Sequence, residues 1–385
     1  MHSGPPTRTF VGLSGFAAAA TVVLLALGEL FPRSLLGRYE GTDLAVYRLG
    51  GRVWLEGQDL YGRLPELAGG VPLEFTYPPL AAILFSPLAM VPLHVASVAA
   101  LAVSTVLLAV IVWTFLGGVR GMTAAFGIAV VAIVLEPIRT GLGYGQINAV
   151  LVAVIAADCL LAPNRKWRGM AVGLVAAIKL TPLVFLLFFL ARRDVRGMIN
   201  VVAGFVGATL LATALAWNDT IEYWTKALFD TSRIGPTSYG RNQSLHGEVA
   251  RVFGDHSRLS SVAWIVLSLA VIVAAFLIAQ RADPRHGLLA VAMCGLLISP
   301  ISWTHHWIWI VPLLVVLVID KRWVLVSSGV LVFGVGMPIL LPDNREDWPS
   351  WGHLVNSLYV VWALAYLASE VAWTRKWARP DGLAH

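Results

Sequence analysis

Charged residues are scarce in this sequence. They make up 13% of its 385 residues, where an ordinary soluble domain carries about 25%. Hydrophobic residues make up 58%, and the mean hydropathy is +0.75. That balance excludes a soluble globular domain. Most of the chain must sit in lipid, where each helical span needs roughly 20 apolar residues. Cysteine is almost missing: Cys159 and Cys294 both lie inside apolar runs. A disulfide scaffold is thereby excluded, and both thiols read as small hydrophobes. The nucleotide signatures are missing as well. There is no Asp-x-Asp pair, no P-loop and no dinucleotide fingerprint, which disfavours a cytoplasmic enzyme using a sugar nucleotide. No internal repeat relates the two halves, and no low-complexity tail occurs.

What is present is a series of apolar runs. They predict spans at 10–29, 95–116, 122–138, 146–162, 197–217, 260–280, 286–302, 305–319, 323–341 and 354–374. The first run follows Arg8 and resembles a signal peptide, but it is long, and Gly28-Glu29-Leu30 offers no small-x-small cleavage site. It reads as an uncleaved span. The stretch 169–191 differs from the rest. Arg165-Lys166-Trp167-Arg168 precedes it, Arg192-Arg193-Asp194-Val195-Arg196 follows it, and Ile178-Lys179-Leu180-Thr181-Pro182 lies in its middle. Basic flanks place both ends in the cytoplasm. A charge beside a helix breaker predicts two short helices, with Lys179 near the tip.

The fold class is therefore an all-α polytopic membrane protein. It has about 12 transmembrane helices, one pair of them short and broken at Lys179–Pro182. One integral-membrane domain covers 1–385, with both termini cytoplasmic. Arg120, Arg281 with Arg285, Lys321-Arg322 and Arg375-Lys376 then fall inside, and the acidic 342–347 loop falls outside. The formal charge of +6 is accounted for by this asymmetry and implies no nucleic-acid partner. The 15 tryptophans suit many membrane–water interfaces. Extracytoplasmic loops run over 30–94, 139–145 (Gly-rich) and 218–259. Within the first, 79–93 is apolar but short and reads as re-entrant or interfacial.

Four places carry residues suited to chemistry. Asp43 heads Gly41-Thr42-Asp43-Leu44-Ala45-Val46-Tyr47-Arg48 just after the first span; it is either a helix cap or a catalytic acid. Arg241-Asn242-Gln243-Ser244-Leu245-His246-Gly247 is dense in hydrogen-bonding groups. Its carboxamides suit sugar hydroxyls, and Arg241 suits a phosphate. The alternative is a solvated loop; Asn242-Gln243-Ser244 also fits a glycosylation sequon. Ser299-Pro300-Ile301-Ser302-Trp303-Thr304-His305-His306-Trp307 sets two histidines among tryptophans, as a functional pair or as part of an aromatic belt. Lys179 is a charge deep in a membrane segment, a functional candidate by default. Glu136 and Arg139 read as a plain ion pair at a span end.

These pieces together resemble glycosyltransferase family 87 of the C-type integral-membrane superfamily. The resemblance rests on Asp43, Phe75-Thr76-Tyr77-Pro78-Pro79-Leu80, Gly145-Gln146-Ile147-Asn148, Lys179-Leu180-Thr181-Pro182, Asn242 to Gly247 and Ser299 to His306, in that order. It implies the C-type architecture and a polyprenyl-phosphate-mannose donor. The acceptor is a glycolipid or cell-envelope glycan, such as a phosphatidylinositol mannoside. Transfer is inverting, with an α-linked, expected α-1,2, product on the outer face of the plasma membrane. It further implies Asp43 as the catalytic base and Lys179, Arg241, His305 and His306 as donor-phosphate ligands. Tyr77, Gln146, Asn242, Gln243, His246 and Trp303 are implied as acceptor or sugar contacts. No cofactor or metal is needed, and membrane lipids are partners. The rival readings are a lipid or sugar transporter and a transferase for another polyprenyl-phosphate sugar.

Overall fold

The computed structural model describes residues 41–377 except 63, 66–72, 118–120, 162–164, 256 and 342–347. The expected first span 10–29, Arg120 and the acidic 342–347 loop lie outside the described residues. Among the described residues every regular element is helical, apart from one isolated antiparallel bridge between Asn242 and Trp303.

Among the described residues four helices are long and apolar enough to cross a membrane: Leu93–Phe115, Val195–Leu215, Arg258–Arg281 and Trp323–Leu340. Their outward faces are apolar, with Ile199, Leu210, Val266 and Leu331 among the exposed side chains. This is the pattern of a membrane protein, whose helices show apolar side chains to lipid. Shorter apolar helices, Asn148–Leu160, Pro284–Ile298, Thr304–Ile319 and Leu358–Thr374, fall at other expected spans. Pro284–Ile298 is buried on nearly every side and forms the centre of the core. At its start His286 is held by Asp283, Asp320 and the fully buried Glu370, which also pairs with Arg322.

One expected span is not continuous. The helix from Met122 stops at Val134 and resumes as Glu136–Tyr144 at 90°. Pro137 is the cause: within a continuous helix its ring would clash one turn back, whereas in a first turn it is tolerated. The Gly-rich 139–145 segment, expected as a loop, is therefore helix up to Tyr144. The expected Glu136–Arg139 ion pair also does not form. Glu136 accepts from the Thr140 and Tyr359 hydroxyls, while Arg139 donates to the Val134 carbonyl.

The break at Lys179 is where the sequence places it. Helix Met170–Ile178 ends, Lys179 is extended (φ −147°), and a 3-10 turn, Thr181–Phe185, leads into Leu186–Ala191. The stretch 79–93 is a short helix, Pro79–Ala89, packed on Thr42–Leu55. Arg48 clamps its end by donating to the Leu88 and Val91 carbonyls.

Helix Met170–Ile178 carries Lys179 and packs on Val195–Leu215 with almost no side chain between the backbones. A Cβ on Gly173 would sit 2.1 Å from the Val201 carbonyl oxygen, and one on Gly204 would sit 2.4 Å from that of Met170. Gly169 and Gly173 form the small-xxx-small pattern that lets membrane helices approach closely. A Gly173→Ala variant should therefore melt at a lower temperature in detergent, with a loss of about 1–3 kcal/mol. Gly207→Ala, whose Cβ meets nothing within 4 Å, should melt like the wild type. An unchanged melt for Gly173→Ala would contradict the close approach.

Candidate active site

Asp43 is the second residue of helix Thr42–Leu55. Gly41, in the left-handed region (φ 67°), takes the cap position, and no side chain caps this end. The helix-cap alternative for Asp43 is thus set aside. Its carboxylate Oδ2 instead accepts from Nε2 of Gln146. Two backbone features bring these residues together. The Gly41 N–H donates to the Gly143 carbonyl at 2.9 Å. Gly145 has φ 68° and lies against Leu44, where a Cβ would come within 2.8 Å; only glycine suits both.

The Gln146 amide has further partners. Oε1 accepts from the Tyr47 hydroxyl at 3.0 Å, and Nε2 lies 3.2 Å from Nε2 of His305. Tyr47 is one helical turn from Asp43, on the same face, and its hydroxyl lies 3.0 Å from that of Tyr77. Asn148, two residues beyond Gln146, joins the other half of the cluster. Its Nδ2 donates to the His305 carbonyl at 3.0 Å, and its Oδ1 accepts from Lys179 Nζ at 3.2 Å. The Lys179 ammonium also sits 3.4 Å from Nε2 of His306 and 5.5 Å from the centre of the Tyr77 ring, within cation–π range. His305 and His306 thus face opposite ways, the first toward Gln146 and the second toward Lys179.

Arg241 reaches the edge of this cluster. It donates to the Tyr144 hydroxyl at 3.3 Å, and the Tyr144 ring packs edge-on to His305. Its position is set by a short ladder between 241–243 and 302–304. Gln243 N–H donates to Ser302 O, and Thr304 N–H donates to Arg241 O. Asn242 and Gln243 are fully buried and hold this ladder rather than entering the cluster. The Asn242 amide bonds Thr237 O, Pro300 O and Ser302 N; the Gln243 amide bonds Gly240 O and Asn356 Oδ1. A fully buried Asn242 also offers nothing to a glycosylating enzyme. His246 stacks on Trp264, 4.3 Å between ring centres, and burial lowers its pKa. Trp303 packs edge-on to Tyr239.

The structure therefore gathers Asp43, Tyr77, Gln146, Lys179, His305 and His306 into one polar cluster, with Arg241 at its rim. It leaves Asn242, Gln243 and His246 in the supporting loop. Tyr47, Tyr144 and Asn148 join the cluster although sequence reasoning does not single them out. The signals for two of them are present: Tyr47 lies four residues after Asp43, and Asn148 closes the Gly145-Gln146-Ile147-Asn148 motif.

Burial pushes the Asp43 carboxyl up from an ordinary 3.8 to about 6, against the opposing pull of the Gln146 hydrogen bond and the Lys179 charge. The cluster borders a small cavity, and an apolar groove adjoins that cavity's wall. Lys179, Asn148, Thr181, Ser302 and His306 line the cavity. Val184 in its wall also lines an apolar groove of about 810 Å³ between the second half of the broken helix, Val195–Leu215, Ile272 and Ile298. Lys179 and the apolar groove thus lie on either side of Val184.

A buried acid and two basic side chains, Lys179 and Arg241, gathered into one polar cluster of an apolar helical protein suit a membrane enzyme. The family model of glycosyltransferase family 87 matches residues 75–300, and the chain belongs to that family. Among its relatives is the polyprenol-phosphate-mannose-dependent alpha-(1-2)-phosphatidylinositol mannoside mannosyltransferase of Mycolicibacterium smegmatis. The two are 40% identical over 86% of this chain and 84% of the relative. The protein of the same description from Mycobacterium tuberculosis is 38% identical over 84% and 83%. A polyprenol-phosphate-mannose-dependent alpha-(1-2)-phosphatidylinositol pentamannoside mannosyltransferase of Mycolicibacterium smegmatis is 34% identical over 86% and 83%. No solved structure matches the chain.

The raised Asp43 pKa makes a stability prediction. The ionised carboxylate is disfavoured in the fold, so its penalty is full above about pH 6 and vanishes below about pH 3.8. Discounted for the residue's partial exposure, it amounts to about 2 kcal/mol. Asp43→Asn should melt a few degrees higher than wild type at pH 7.5, and the gap should close near pH 4. Equal melting temperatures at pH 7.5 would contradict the burial argument.

Proposed function

We propose that this protein transfers mannose from a polyprenyl-phosphate donor to a glycolipid acceptor of the phosphatidylinositol-mannoside class, giving an α-1,2-linked product. The observation that carries this reading is Asp43. It is a desolvated carboxylate with a pKa of about 6, held by Gln146 and placed across the cluster from the Lys179–His306 pair. The names of the relatives support the donor and acceptor classes.

The chemistry is a single displacement. The acceptor hydroxyl oxygen attacks the anomeric carbon of a β-linked mannosyl phosphate from the opposite face. The bond from that carbon to the phosphate oxygen breaks, and the configuration inverts to α. Asp43 takes the hydroxyl proton, and polyprenyl phosphate leaves. A base with a pKa near 6 is ionised at neutral pH yet holds a proton better than an ordinary carboxylate. The phosphate is already a good leaving group, so cations replace a general acid: Lys179, held beside the neutral His306 ring, on one side and Arg241 on the other. The polyprenyl chain lies in the apolar groove that begins at Val184. Tyr77 and Trp303 stand at the acceptor side as sugar platforms. Asn242 and Gln243 act behind them, by locking the segment that carries Arg241 to the one that carries Trp303, and His246 stacks on Trp264.

The site faces the extracytoplasmic side of the plasma membrane, between the outer loops 30–94 and 218–259. About 12 membrane helices form one domain over 1–385, with both termini in the cytoplasm. The basic short loops at Arg281 with Arg285 and at Lys321-Arg322 support this orientation. A single cysteine at Glu56, which is exposed, should react with an impermeant thiol reagent added outside intact cells; one at Asp283, outside the expected spans on the opposite side, should not. The reverse pattern would invert the topology.

The test of function supplies labelled polyprenyl-phosphate mannose and a phosphatidylinositol mannoside to membranes containing the protein. A labelled, α-linked mannolipid is expected. Asp43→Asn should lower the rate at saturating donor by about 10²–10⁴-fold while donor binding persists. Lys179→Met should raise the donor KM. A wild-type membrane that labels no lipid, or an Asp43→Asn enzyme near the normal rate, would sink the proposal.

A further inference from the structure

We infer that Gln146 is a positioning residue for Asp43 and not a sugar contact: one amide holds Oδ2 of Asp43, leaves Oδ1 for the acceptor hydroxyl, and fixes His305 as the Nδ1–H tautomer. The inference rests on the assignment of Asp43 as general base.

The argument begins with what a carboxamide can do. It offers two N–H hydrogens and one carbonyl oxygen. At Gln146 both hydrogens are engaged, one by the Asp43 carboxylate and the other by the ring nitrogen of His305; the oxygen takes the Tyr47 proton. The orientation is decided by charge. With the amide turned over, its oxygen would face the Asp43 carboxylate and its N–H groups would face the Tyr47 hydroxyl. The side chain cannot rotate away either. Gln146 is 6% exposed, and Tyr47 is itself fixed by the Tyr77 hydroxyl and by stacking on Phe85 at 4.5 Å. Both N–H donors of this amide are committed, and only the second lone pair of its buried carbonyl oxygen is left over.

Two consequences follow for the neighbours. Because an amide N–H points at Nε2 of His305, that nitrogen must accept, so the ring proton resides on Nδ1. Oδ1 of Asp43 accepts no hydrogen bond from any described residue, whereas Oδ2 is held. The carboxylate thus has one tethered oxygen and one oxygen available as a base. A tether of this kind does two things: it aims the basic oxygen, and it favours the ionised form.

The two effects can be separated from substrate binding by the pH profile of kcat/KM in proteoliposomes. Removing a hydrogen bond to a carboxylate raises its proton affinity, so the base is lost at a higher pH. For Gln146→Met the acidic limb should move up by roughly one pH unit, with kcat down about tenfold and the acceptor KM within about twofold of wild type. Tyr47→Phe touches no atom of Asp43 and keeps its ring stacking. By loosening the amide it should move the limb in the same direction by a smaller amount. A raised acceptor KM with an unmoved limb would make Gln146 a sugar contact and overturn the inference. Unchanged limb and rate would reduce Gln146 to packing and overturn the inference as well. Should Gln146→Met fail to reach the membrane, Tyr47→Phe decides alone, and an unmoved limb overturns the proposal. Asp43→Asn, run alongside, separates the two layers. If it is inactive while the limb of Gln146→Met stays in place, only the role of Gln146 falls. If it is active, the general-base reading falls first.

Discussion

The hydrogen bond between Gln146 and Asp43 is the contact on which the arrangement depends. Burying a carboxylate without partners costs several kcal/mol. A single hydrogen bond to a charged group offsets only about 1.5–3 kcal/mol of that. The Lys179 ammonium, across the cluster, offsets part of the rest. Because the offsets fall short, Asp43 stays harder to ionise than a solvated carboxyl, and that shortfall is what suits it to the proposed role of base near neutral pH. The backbone serves this contact. Gly41 and Gly145 let the start of the Asp43 helix lie directly on the turn that presents Gln146, with the Gly41 N–H on the Gly143 carbonyl.

Two adjacent histidines divide the cluster. His305 belongs with Gln146 and Asp43, on the side of the proposed base, and His306 belongs with Lys179, on the side proposed for the donor phosphate. Asn148 ties the halves together, holding the Lys179 ammonium with its oxygen and the His305 carbonyl with its nitrogen. Four carboxamides illustrate how context assigns work to one residue type. Gln146 and Asn148 orient charged groups, while Asn242 and Gln243, fully buried, lock a loop to the segment before the histidines.

Lysine at the break is held in place by packing far from the polar cluster. The helix that ends at Ile178 is seated on Val195–Leu215 through glycines, with backbone against backbone. In lipid, where apolar side chains gain little by meeting one another, such close approach is what fixes one helix against the next. The same break turns the following residues, Leu183 to Leu190, into one wall of the apolar groove. A single backbone interruption therefore places the cation and lines the neighbouring groove proposed for the polyprenyl chain.

Much of this was legible in the chain itself. Scarce charge and long apolar runs determine a helical membrane protein, because only helices satisfy their backbone in lipid without a closed barrel. A lysine next to Thr181-Pro182 in an apolar stretch determines a break, because proline cannot continue the helix and the charge needs a polar partner. Asp43, Lys179 and the histidine pair stand out by the cost of placing such groups at or in a membrane. The tertiary structure alone decided which polar residues meet. Asn242 and Gln146 look alike in sequence, and no local pattern shows that one locks a loop and the other holds an acid. The 90° turn at Leu135 was equally hidden, since an apolar run reads the same whether the helix is straight or bent, and Pro137 marks the corner only once the two halves are seen to pack apart. Hydropathy reports what each residue avoids; which partner it finds depends on contacts between segments distant in the chain, such as Asp43 with Gln146 and Lys179 with His306.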